Sequence, residues 1–340
     1  MITVFLEDVW EEIISKRGFM LFKQKGITFE GNLFKNRAIN YNKLKKIDLI
    51  VATNPSLSIL SWAQKHHIPV IFYALFPDLI TEWNYKKNTY REGLTNGFEK
   101  KVRKVHRILV NSCFTKELLE SRFKFVIDQD VCYLGIDSRS ISNRNQYFLK
   151  KPGKQSILWN HMWRKDKGFI PALSIILKLA EKYSNIDFYI GRKENWGGKD
   201  LYELKEFYKE FMHQIKEKKI KNIIFSKKFY KQEDYWNFLR SMDISFTCSY
   251  HETFGISMLE QAAVGIACVV PNVEVYPEIH KGALLVSPDK IIEGVEKLIR
   301  NEKACKRISN LCKENASSYN IENFVDNFSQ HIFTVLKLNK

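Results

Sequence analysis

At 340 residues, 45% of them hydrophobic, the chain exceeds an ordinary single domain and can bury two cores, which excludes a disordered or fibrous class. Its formal charge of +16 excludes an acidic solvating chain and suits anionic partners: a nucleotide, an anionic membrane face or RNA. The six cysteines form no CxxC pair and have no histidines at zinc-ligand spacing, so they read as reduced thiols, and no run of about 18 apolar residues and no signal-peptide layout occurs. The expectation is a cytoplasmic protein whose basic surface allows peripheral contact with the inner membrane face.

Apolar runs at 2–6, 47–53, 70–73, 107–111 and 130–134 read as strands, with helical spacing at 57–66 and 96–106 between them. Strands alternating with helices mean a parallel sheet with crossovers. A polar stretch at 138–154, carrying Pro152 and Gly153 and no apolar periodicity, reads as an interdomain linker. The pattern then restarts: 156–159, 187–190, 222–225, 244–248 and 267–270 read as strands, separated by helices at 171–182, 201–218, 232–240 and 255–264. From Ile291 onward the pattern is helical only. The expected organisation is an N-terminal Rossmann-like domain over 1–140, a second over 155–320, and a terminal helix over 321–340 that crosses back to the first.

Ser249-Tyr250-His251-Glu252-Thr253-Phe254-Gly255-Ile256-Ser257-Met258-Leu259-Glu260 follows an expected strand and enters an expected helix. Ligands of open α/β sheets bind at the carboxyl ends of the strands, and a helix start there offers amides and a positive dipole end to a phosphate. Glu252 precedes the helix, while Glu260 lies one turn beyond Ile256 and leans back toward its start. Carboxylates accept hydrogen bonds from vicinal hydroxyls, such as those of a ribose or a hexose. A second stretch, Trp159-Asn160-His161-Met162-Trp163-Arg164-Lys165-Asp166-Lys167-Gly168, follows the first strand of the second half.

With the later Val275-Tyr276-Pro277-Glu278-Ile279, these segments resemble glycosyltransferase family 4, and 156–280 also resembles its tRNA-queuosine mannosyltransferase branch. The resemblance implies an α/β GT-B fold, two Rossmann-like doubly wound parallel-sheet domains facing a central cleft. It implies a retaining, metal-independent hexosyltransferase with no tightly bound cofactor and a UDP- or GDP-sugar as donor substrate. Carried over, Glu252 contacts the sugar, Phe254, Gly255, Ile256 and Ser257 contact sugar and diphosphate, and Glu260 holds the ribose hydroxyls. Lys167-Gly168 matches the diphosphate clamp, but Met162 stands where the family has an arginine. Arg164 or Lys165 would then supply the second cation, and the catalytic set is expected to be Glu252, Lys167 and Arg164.

His161 falls at a strand end and is a further candidate for donor contact. Asp78 and Glu82 are candidates on the acceptor side. Two family features are absent: a glycine-rich loop after the first strand and a histidine after the 70–73 strand. Three readings stay open: transfer to a glycan or lipid-linked acceptor, transfer to tRNA, and a scaffold that has lost catalysis and acts as a binding or regulatory subunit. DNA is not expected as a partner.

Overall fold

The computed structural model describes residues 1–7, 14–30, 47–53, 56–75, 81–84, 89–92, 101–122, 129–137, 153–191, 201–226, 229 and 231–338. The chain divides into two compact units, Met1–Asp137 with Tyr319–Lys340, and Ser138–Ser318. Asp78 lies outside the described residues, as does most of the 138–154 stretch. Of the helix expected over 96–106, residues 101 and 102 are helical and 103–104 form a turn; the earlier residues lie outside the description.

The first unit contains β1 (Ile2–Glu7), α1 (Lys16–Gln24), β2 (Ile27–Glu30), β3 (Leu49–Ala52), α2 (Leu57–Lys65), β4 (Val70–Ala74), the hairpin strands β5 (Thr81–Asn84) and β6 (Thr89–Glu92), β7 (Arg107–Val110), α3 (Cys113–Arg122) and β8 (Gln129–Val131). Its parallel sheet runs β2-β1-β3-β4-β7-β8. Every residue of β3 and β4 is buried, as expected of parallel strands covered on both faces, and this explains why they read as unbroken apolar runs. The hairpin, which carries Glu82, is paired antiparallel and stands apart from that sheet.

The terminal helix α11 (Ile321–Leu338) belongs to the same unit. Phe22 of α1 packs edge-on against Phe324 and Phe328, while Arg17 pairs with Glu322 and Lys25 with Asp326.

The second unit contains β9 (Ser156–Trp159), α4 (Phe169–Lys182), β10 (Asp187–Ile190), α5 (Leu201–Glu217), β11 (Ile223–Phe225), α6 (Gln232–Arg240), β12 (Ile244–Phe246), α7 (Ile256–Ala263), β13 (Ala267–Pro271), α8 (Tyr276–Ile279), β14 (Leu284–Val286), α9 (Ile291–Arg300) and α10 (Glu302–Ser317). Its sheet is again all parallel, ordered β11-β10-β9-β12-β13-β14. The chain works outward from β9 in one direction, then returns to lay β12 on the other side of it. That reversal is a topological switch point, the place beyond the carboxyl ends of the strands at which ligands of open α/β sheets bind.

The two sheets establish the α/β class. Edge strands β2 and β14 were not anticipated: β2 is a four-residue Ile-Thr-Phe-Glu alternation in which only Ile27 is buried, and β14 is a Leu-Leu-Val run of three residues, too short to tell from a helical segment by pattern. Among the described residues no helix is long and apolar enough to cross a membrane.

Candidate functional site

The loops leaving β9 and β12 are the two that flank the switch point, and they carry Lys167 and Glu252 respectively. They are joined by backbone and side chain. The Asp166 carbonyl accepts from the Tyr250 amide at 2.9 Å and from Ser249 Oγ at 3.2 Å, and Ser257 Oγ donates to the Asn160 carbonyl at 2.6 Å. Each loop ends on a left-handed glycine that starts a helix without a side-chain cap: Gly168 at φ +68 before α4, and Gly255 at φ +77 before α7. A Cβ on Gly168 would stand 2.0 Å from the Cys248 carbonyl oxygen, and one on Gly255 would stand 2.6 Å from His280 Nε2. Both crossings therefore require glycine for space as well as for φ.

Lys167 Nζ lies 3.0 Å from Glu252 Oε2 and donates to the His251 carbonyl at 2.7 Å; Asp166 Oδ2 is 3.9 Å away. Burial alone would push the Glu252 carboxyl up, but the Lys167 ammonium, His161 and hydrogen bonds from Lys167 and the Thr253 amide lower it to about 2. Glu252 is thus an anion at any physiological pH, able to accept from hydroxyls. Both side chains of the pair keep 16% exposure, enough to meet a ligand.

Glu260, on α7, takes part in a separate network. Tyr235 Oη donates to Glu260 Oε2 at 2.8 Å and accepts from Asn160 Nδ2 at 3.1 Å. Burial, then the Glu260 charge, push the Tyr235 phenol well up, so it stays a donor. One carboxylate oxygen of Glu260 is thereby oriented from behind by a neutral side chain.

The other basic candidates are engaged nearby. Arg164 Nε bonds to buried Asp166 Oδ1 at 2.8 Å, and Lys165 reaches Glu203 at 2.8 Å. Met162 is half-buried and His161 buried. The structure brings His161, Lys167, Glu252 and the start of α7 together; it places Arg164 and Lys165 on acidic partners of their own. Among the described residues no group of three or more His, Cys, Asp and Glu is placed to hold a metal ion.

Three residues not singled out by the sequence reading shape the site: Tyr235, Glu274 and His280. Glu274 Oε2 accepts from the Glu252 amide at 2.7 Å, and its Oε1 lies 3.4 Å from His251 Nδ1. His280 Nε2 lies 3.2 Å from the Phe254 carbonyl, and burial lowers it to about 4, so it is neutral and donates that bond. Tyr276 is fully buried and its ring lies tilted against that of His280, centroids 5.4 Å apart, so the Val275–Ile279 segment underlies the site as packing.

Residues 148–315 match the model of the family described as glycosyl transferases group 1. A curated relative, the tRNA-queuosine alpha-mannosyltransferase of Drosophila melanogaster, is 32% identical over 124 residues; the match covers 36% of this chain and 30% of that protein's length. The solved sucrose-phosphate synthase of Thermosynechococcus elongatus superposes with a TM-score of 0.73 at 11% identity, covering 99% of this chain and 100% of that one. An E. coli trehalose-6-phosphate protein bound with UDP-2-fluoro glucose gives 0.72 at 10% identity, with 99% of each chain covered. Anabaena HepE in complex with UDP and glucose gives 0.69 at 13% identity, with 98% and 99% covered. At these identities the likenesses show a shared GT-B fold.

Proposed function

Starting from the match of residues 148–315 to the glycosyl transferases group 1 model, we propose that this chain transfers a hexose from a UDP- or GDP-sugar to an acceptor hydroxyl with retention of configuration. The observation that carries the reading is the Lys167–Glu252 pair, held between the two loops at the switch point and beside the uncapped start of α7. The UDP- and glucose-bearing neighbours of the same fold support a nucleotide-sugar donor.

In this reading Glu252 accepts from sugar hydroxyls and Glu260 from the ribose, while the diphosphate lies over the amides of Gly255 to Ser257. Lys167 stabilises the negative charge that develops on the diphosphate as the bond from the anomeric carbon to the phosphate oxygen breaks. The acceptor oxygen forms the new bond to that carbon, and its proton leaves on the diphosphate. No metal or other cofactor enters this scheme. Arg164 assists only if its outer nitrogens serve the phosphate while Nε stays on Asp166.

The assay is product formation from UDP-glucose or GDP-mannose followed by anomeric proton NMR. Product of the donor's anomeric configuration supports the reading; an inverted product refutes retention, and absence of nucleotide release in every case refutes transferase activity. Glu252→Gln is expected to lower turnover by at least about a hundredfold if the carboxylate meets the sugar in the transition state.

A second reading, tRNA as acceptor, is favoured by the similarity to the Drosophila protein and by the +16 charge. It predicts tRNA affinity that falls steeply with salt, by several counterions' worth of slope. Salt-independent or undetectable tRNA binding would return the acceptor to a glycan or lipid-linked group.

A further inference from the structure

Among the described residues three non-glycine positions have positive φ: His67 at +56, Lys219 at +52 and Glu274 at +51. His67 and Lys219 lie just past the ends of α2 and α5, where a left-handed residue closes a helix, and their strain has a local cause. Glu274 has no helix before it. It sits in the turn between β13 and α8, in a conformation that glycine takes freely and a side chain does not. What glutamate adds there is its carboxylate, and both oxygens face the loop after β12: one takes the Glu252 amide, the other His251 Nδ1. The Glu274 side chain is only 11% exposed. A strained backbone with this local reward marks a functional constraint rather than a turn requirement.

We propose that Glu274 is the positioning residue for Glu252. It anchors the peptide from which the Glu252 side chain departs, through a charge-assisted bond, and so fixes where that carboxylate meets the donor sugar. This rests on the donor-site reading above. It adds a division of labour: the turn after β13 governs recognition of the sugar, and the Tyr235–Glu260 network governs the nucleoside.

The test is Glu274→Gly, with Glu274→Gln as the conservative control. Removing the side chain relieves the left-handed strain, so the glycine variant is expected to melt no lower than the parent. Hydrogen exchange of the Glu252 amide in the ligand-free protein is expected to quicken about tenfold or more, and to be slowed again in the glutamine variant, whose carbonyl can accept the same bond. In calorimetric titrations, the preference for UDP-glucose over UDP, or GDP-mannose over GDP, is expected to fall about tenfold in the glycine variant while affinity for the sugar-free nucleotide is unchanged. A lower melting temperature with equal losses for sugar-bearing and sugar-free nucleotides would overturn the proposal and leave Glu274 a structural prop. Unchanged amide exchange would overturn it as well. If the parent protein binds none of the four nucleotides, the donor reading fails, and the exchange and melting data still decide whether Glu274 holds the loop.

Discussion

The two units share a six-stranded parallel sheet but place their charges differently. In the first, the described ion pairs between sequence-distant residues tie α11 or the sheet edge to the rest: Arg17 with Glu322 and Asp137, Lys25 with Asp326, and Arg107 with Asp130 beside His331. At the carboxyl ends of its strands the described buried polar residues are neutral and satisfy one another: Asn111 donates to the Leu75 carbonyl, and Ser112, Thr115 and Asn111 bond among themselves. In the second unit the carboxyl ends of β9 and β12 hold a lysine and a glutamate in contact, with a further carboxylate clamping the loop. Among the described residues, neutral side chains meet at the strand ends of the first unit and a charged pair at those of the second.

The largest expected effect comes from breaking the charge balance of that pair. Lys167→Met would leave Glu252 without its cation and is expected to destabilise the protein by about 3 kcal/mol, the pair being largely withdrawn from water. Adding Glu252→Gln should recover much of the loss. Urea denaturation of the two single variants and the double variant measures this, and strict additivity would show that the pair is not coupled.

The glycines sharpen the contrast next. Gly168→Ala is expected to cost about 2–4 kcal/mol, since its Cβ would overlap a backbone carbonyl. Gly26→Ala in the first unit has a similar φ of +75 but nothing within 4 Å, and should cost about 1 kcal/mol, the conformational penalty alone. Equal losses would mean that crowding at the β9 loop is unimportant.

Acid titration separates the two kinds of group. His280 and His331 are each lowered from 6.5 to about 4, both chiefly by burial, so the unfolded chain binds protons that the folded one does not between those values. Stability is full above pH 6.5 and falls as pH drops toward 4. Glu252, lowered from 4.5 to about 2, adds a second loss between pH 4.5 and 2. His280→Gln, which can still donate to the Phe254 carbonyl, should flatten part of the upper segment in thermal scans and leave the lower one unchanged.

The smallest effect is expected from Tyr235→Phe, which removes one hydroxyl from Glu260. Folding stability should change by about 1 kcal/mol, while affinity for a ribonucleotide falls and that for its 2′-deoxy analogue does not. A parallel fall for both would assign Tyr235 to packing.

How much of this was legible beforehand follows from burial and from sequence distance. The covered strands β3, β4, β9 and β13 announce themselves because both faces are buried and every residue is apolar or small. The edge strands β2 and β14 escape because β2 is a four-residue alternation and β14 a run of three, both too short to be assigned by pattern. Glu252, Gly255 and Glu260 stand out as candidates because one loop and one helix carry them at fixed spacing. Tyr235 and Glu274 were not, since they reach the site across 25 and 22 residues of chain and no local pattern marks the contact. The engagement of Arg164 and Lys165 by Asp166 and Glu203 was hidden likewise, because sequence lists cations without showing their partners.

The central claim, a nucleotide-sugar site built on Lys167 and Glu252, is tested most directly by calorimetric titration of the protein and of Lys167→Ala with UDP, GDP, ADP and their sugar conjugates. The account predicts that one nucleotide and its conjugate bind the parent protein selectively and that Lys167→Ala loses this binding by about a hundredfold, as expected for removal of a charge-assisted contact to phosphate. Binding to both proteins with equal affinity, or to neither at about millimolar concentration, would contradict it.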